Sequence, residues 1–135
     1  MATRANDTTM AILDEIFAAF PGRFRFTSGC RTPSQNAAVN GSPTSYHLTT
    51  NGCQAADFVP IDGRFGDKDA IGAIVARHGY EVIQHNVGSG EHYHIEPAPG
   101  YTGGQSQGTQ QTQETDNSLL LYGMLGILFI VLITD

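Results

Sequence analysis

Basic residues are scarce, and beyond Arg77 there are none. Seven Lys and Arg stand against thirteen Asp and Glu, for a net charge of −6. From His78 onward the chain carries six acids (Glu81, Glu91, Glu96, Glu114, Asp116, Asp135) and no compensating cation. A nucleic-acid partner needs a basic footprint against its phosphates, so no nucleic acid is expected. The N-terminal residues are not expected to form an export signal. Residues 1–7 are polar, and the apolar residues after them are interrupted by Asp14 and Glu15, so no continuous apolar core of a signal peptide forms. Cysteine is sparse: Cys30 and Cys53 allow a single bridge, and two idle thiols are the plainer reading where no secretion signal is seen. Disorder throughout is excluded, because 40% of the residues are apolar.

What is present divides into three parts. Residues 1–97 have the mixed composition of one small folded domain, enough for a single core with little stability to spare. Residues 98–117 read as a flexible linker, since Thr102 to Gln113 contains only Thr, Gly, Gln and Ser and cannot bury apolar surface. Its random-coil reach is about 25 Å. Residues 118–134 read as a transmembrane helix. Leu119 to Ile133 is uncharged and apolar apart from two glycines and Tyr122. Such a run spans about 22 Å as a helix against roughly 30 Å of hydrocarbon, with Ser118 and Thr134 available to extend it. A segment apolar on every side, at the end of a tether, has only lipid or another chain to bury it. The expectation is a single-pass C-terminal anchor in a lipid bilayer. The domain would stay on the side where it was made, because only Thr134 and Asp135 need to cross.

Within the domain, residues 7–20 form an amphipathic helix pattern capped by Asp7 or Thr8, with Ile12, Leu13, Ile16, Phe17 and Phe20 on one face. Pro21-Gly22 ends it. Arg23 to Thr27 alternates as a half-buried strand. Pro33 opens a short helix over Ser34 to Val39, and Ala55 to Val59 is a short apolar strand. Asp67 to His78 is a second amphipathic helix with Ile71, Ile74 and Val75 inward and Gly79 as its C-terminal cap. Tyr80 to Gln84 and Tyr93 to Ile95 read as strands joined through residues 87–90. The expected fold class is α+β, a small antiparallel sheet with flanking helices.

Three residues in two separated segments carry metal chemistry: His47, Asp57 ten positions later, and His94. Two imidazoles and a carboxylate, with a fourth position left for water, are the protein share of a catalytic zinc site. Glu91, three residues before His94, is placed to act as general base. Other assignments stay open at this point. His92 shares a strand face with His94 and could replace or support it. Glu96 could orient His94 or compete with Glu91. Strand alternation puts Glu91 on the face opposite His94 unless the chain bends near Gly90. His78 and His85 read as solvated, and a surface ion pair is the alternative reading of Arg31.

The order of the motifs adds to this. Ser28-Gly29-Cys30-Arg31-Thr32-Pro33, Asn36-Ala37-Ala38-Val39, Ser42 to His47, Ala55-Ala56-Asp57 and His94-Ile95-Glu96-Pro97 follow one another. Together they resemble the zinc D-alanyl-D-alanine carboxypeptidase family, which includes phage L-alanyl-D-glutamate endopeptidases. The resemblance covers about residues 8–97. It implies that His47, Asp57 and His94 bind Zn²⁺, that Glu91 is the catalytic base, and that Arg31 holds the substrate's carbonyl or carboxylate. It also implies a peptidoglycan stem peptide as substrate. Two departures stand out: ten residues separate His47 from Asp57 where the family usually has seven, and Cys30 replaces a common aromatic residue. One idea joins them, a Cys30–Cys53 disulfide that pins the enlarged loop. The implied function is a membrane-tethered zinc peptidase of the cell wall, suited to a bacteriophage at entry or lysis and open to assembly in a virion or membrane complex. The competing expectation is a catalytically inactive wall-binding or structural protein of the same fold.

Overall fold

The computed structural model describes residues 3–87 and 90–100. The elements run α1 (Asp7–Ala19), β1 (Phe24–Ser28), α2 (Pro33–Ala38), β2 (Ala56–Pro60), α3 (Lys68–Ala76), β3 (Tyr80–Val87) and β4 (Gly90–Pro97), with a 3-10 turn at Thr49–Asn51. The four strands form one sheet in the order β1-β2-β4-β3, and every neighbouring pair is antiparallel. Helices and this sheet make the α+β fold. The expected linker and transmembrane helix lie outside the described residues, and among the described residues no helix is long and apolar enough to cross a membrane.

The sheet has two unlike faces, because strand side chains alternate. One face carries Phe24, Phe58, Tyr93 and Ile95 into the core, where Ile12, Leu13 and Ile16 of α1 and Ile71 and Val75 of α3 cover them. Phe58 is central to this face, with its ring 5.3 Å from that of Phe24 and 5.5 Å from that of Tyr93. The other face carries Arg25, Asp57, Val59, His92 and His94 and lines an open cleft. Alternation thus sends the apolar set to the helices and the chemistry to solvent.

Local caps explain where the helices begin. Asn6, rather than Asp7 or Thr8, caps α1: its Oδ1 accepts the Thr9 amide at 2.8 Å. The cap is one residue earlier because Asn6 is in the extended conformation a cap requires. Thr32 and Gln35 form a reciprocal capping box around Pro33, which stabilises the short α2. Gly79 has a φ of +73°, the left-handed turn that follows α3. The hairpin of β3 and β4 is longer than its apolar residues indicate. Polar residues continue the ladder, pairing His85 with His92, Asn86 with Glu91 and Val87 with Gly90.

Candidate metal centre

Two of the three ligand candidates are set by sheet register. Asp57 on β2 stands directly opposite His94 on β4. The third, His47, lies in the long connection between α2 and β2. That connection is stitched to Arg31, whose amide donates to the His47 carbonyl at 2.8 Å while its carbonyl accepts from Thr49 at 2.9 Å. Arg31 and His47 therefore enter the site together. The enlarged loop continues through the 3-10 turn to Gly52 and Cys53, both left-handed, with φ of +82° and +53°. Asn6 accepts the loop at the N-terminus of α1, its amide donating to the Cys53 carbonyl and its Nδ2 to the Gly52 carbonyl. Cys30 and Cys53 are joined by a disulfide with Cα atoms 4.8 Å apart.

The three side chains are almost fully buried, with relative exposures of 3% for His47 and 7% for Asp57 and His94. Asp57 Oδ1 lies 2.7 Å from His94 Nδ1 and 3.1 Å from His47 Nε2, and one donor atom from each residue falls within 4.8 Å of the others. The remaining ring nitrogens are already committed. His47 Nδ1–H donates to the Gly29 carbonyl at 2.6 Å, and His94 Nε2–H donates to Glu96 Oε1 at 2.7 Å. A carbonyl and a carboxylate only accept, so each ring presents its other nitrogen to Asp57. Such outer partners fix the tautomer of metal-binding histidines. The donor set fits a zinc ion with one open position.

Electrostatics agree with so tight a cluster. Burial pushes the Asp57 carboxyl up, but hydrogen bonds and charge from His47 and His94 outweigh it and hold the group far below the usual carboxylate range. Burial likewise pulls His94 down, and its bonds to Asp57 and Glu96 reverse this, raising it to about 9. The hydrogen bond from His94 lowers Glu96. In the absence of metal, a proton on His94 takes the place of the cation between two carboxylates.

The other expected residues are distributed unequally. Arg31 reaches the site: Nη2 is 3.6 Å from Asp57 Oδ2, Nη1 donates to Asn36 Oδ1 at 3.0 Å, and Nε donates to Ser28 Oγ at 3.4 Å. Glu91 borders the cleft, but by register it belongs with Asn86 and Tyr93 on the face opposite His94, and its carboxylate accepts from Gln84 Nε2. Glu96 occupies the orienting position beside His94. His92 stands nearby, its Nε2 3.9 Å from Asp57 Oδ1. His85 is not simply solvated: it lines the cleft, its ring 5.3 Å from that of His92, because β3 continues past Gln84. His78 pairs with Glu15 at 2.8 Å. Sequence reasoning assigned no role to Asn36, which is buried and binds both Arg31 and the Ser42 carbonyl. A polar amide inside a short helix next to the Arg31 motif was the available signal.

Two imidazoles, one carboxylate and a neighbouring guanidinium at the foot of an open cleft define a metallohydrolase type of centre. Residues 2–96 match the sequence model of the Peptidase M15 family. The chain belongs to that family, and its class is zinc metallopeptidase with Zn²⁺ as cofactor. No curated protein and no solved structure matches the chain.

Proposed function

We propose that this protein hydrolyses peptide bonds in the stem peptides of bacterial peptidoglycan, with His47, Asp57 and His94 as its zinc ligands. The observation that carries the reading is the convergence of these three buried side chains on one point, each histidine oriented by a partner of its own. Held by these residues, zinc would supply the Lewis acidity that makes water nucleophilic near neutral pH. Arg31, braced by Asn36 and Ser28, offers N–H groups to the oxygen of the peptide carbonyl as negative charge develops on it. Glu91 takes the proton of the attacking water and returns it to the leaving amine. For this its carboxylate must leave Gln84 and turn into the cleft that it already borders. Side-chain rotation at an exposed strand end is a small, fast movement.

The same proposal includes location. Leu119 to Ile133 anchors the chain in a membrane, and the linker lets the peptidase search the wall beside it. A bacteriophage, at entry or lysis, is the setting that suits such a chain. Incubating the full chain with purified peptidoglycan and sequencing the new termini tests both activity and bond. New amino termini within the stem peptide, abolished by a chelator, are expected; an unchanged wall contradicts the proposal and returns the inactive wall-binding alternative.

A further inference from the structure

Five side chains of formal charge line the cleft: Arg25, Arg31, Asp57, Glu91 and Glu96. Four of them are engaged. Arg31 is held by Ser28 and Asn36 beside Asp57, Asp57 joins the two metal-site histidines, Glu91 accepts from Gln84, and Glu96 accepts from His94. Arg25 has no hydrogen-bond or ion-pair partner among the described residues, although acids outnumber bases in this chain thirteen to seven. Elsewhere in the domain Arg4 pairs with Asp7, Arg23 with Asp62 and Asp67, and Arg77 with Glu15, whereas Arg64 and Lys68, like Arg25, form no side-chain ion pair among the described residues but do not line the cleft.

The position of Arg25 is set by the sheet. It lies opposite Val59 on β2, two residues from Asp57 and on the same face. With a rise of about 3.3 Å per residue and about 4.8 Å between strands, its Cα is roughly 8 Å from that of Asp57. An extended peptide covers that distance in two or three residues. A guanidinium is a rigid, permanently charged fork that matches a carboxylate in bidentate fashion.

We propose that Arg25 is a specificity residue, and that it binds a carboxylate of the substrate two or three residues from the cleaved bond. The inference rests on the peptidase function above and narrows it to acidic peptides. The carboxylate has two sources in a stem peptide, a side-branch carboxylate or the C-terminus of the chain, and both present the same chemistry to Arg25.

The test uses the full, zinc-loaded chain and three synthetic stem peptides: the parent, one with its side-branch carboxylates converted to amides, and one with a C-terminal amide. Wild type is expected to favour the parent over one of the two amides by about tenfold to a hundredfold in kcat/KM, mostly through KM. The amide that suffers identifies the source. Arg25→Gln is expected to lose this preference, cutting the parent only as well as wild type cuts the disfavoured amide. Arg25→Lys should keep part of it. Both variants should retain wild-type zinc content, which separates lost recognition from lost folding. A preference that survives intact in Arg25→Gln, or a wild type that cuts all three peptides equally, overturns the assignment. A wild type that cuts none of them overturns the peptidase function itself, and Arg25 recognition with it.

Discussion

At Asp57 two imidazoles and a guanidinium meet one carboxylate, and the consequences of single substitutions follow from who else can take each place. His47→Ala or His94→Ala removes one of the three donors that converge on the proposed zinc position, so zinc analysis after dialysis should find less than stoichiometric metal. Glu96→Gln leaves the ligands intact but weakens the acceptor that orients His94, and zinc affinity should fall by about 10- to 100-fold. Glu91→Gln is different in kind. It should keep zinc and fold while losing about 100-fold or more in turnover, because in the proposed mechanism only the proton acceptor changes. Full activity in Glu91→Gln would place the base elsewhere in the cleft.

Protons and zinc compete for the same nitrogen, which gives the site a pH dependence with a definite sign. His94 rises from 6.5 to about 9 in the folded, metal-free chain, so its stabilising contribution is complete below about 6.5 and fades as pH rises through 9. Zinc needs that proton gone, so its affinity should increase over the same interval. The melting temperature of the zinc-loaded chain should therefore pull further above that of the metal-free chain between pH 6.5 and 9. Thermal unfolding with and without chelator measures it; a gap that narrows with pH would count against this protonation scheme.

On the scale of elements, the loop from Gly29 to Cys53 does what no strand could, bringing His47 over the sheet. Two glycines set its closeness. A Cβ on Gly29 would lie 2.2 Å from the Thr3 carbonyl oxygen, and one on Gly41 would lie 2.1 Å from Asn36 Oδ1. Gly29→Ala is expected to cost about 1–3 kcal/mol in denaturant unfolding, since backbone on both sides must move. Gly41→Ala should instead displace Asn36 and act through Arg31, lowering turnover with zinc content unchanged. Cys53→Ser should destabilise by about 2–4 kcal/mol by freeing the loop it closes with Cys30.

The loop is also where sequence reading stopped. Helical periodicity located α1 and α3 closely, because their buried stripes of Ile and Leu are continuous and face a core of the same character. The inward set Ile71, Ile74 and Val75 was legible for that reason. The ends of β3 and β4 were not, since His85, Asn86, Glu91 and His92 are all polar and show no apolar alternation to mark a strand. The three side chains that converge could be named from their motifs, whereas the bracing of His47 by the Gly29 carbonyl depends on chain closure across 18 residues. No local pattern encodes such contacts.

Taken as a whole molecule, the domain sorts its chemistry by sheet face: helices and core on one, an open and polar cleft on the other. The described domain reaches Gly100, and the proposed anchor lies beyond it. Truncation after Gly100 should leave a zinc-binding peptidase that no longer pellets with membranes, while the full chain does. Flotation on a density gradient checks this, and equal partitioning of the two forms would remove the anchor from the account. The central claim, that one zinc held by His47, Asp57 and His94 makes this chain a peptidase of the cell wall, is tested most directly by titration. The full chain is stripped with chelator, zinc is added back stepwise, and amino groups released from purified peptidoglycan are counted. Release should begin with the first addition and level off at one zinc per chain; release that persists in the stripped chain, or never appears at one equivalent, would contradict it.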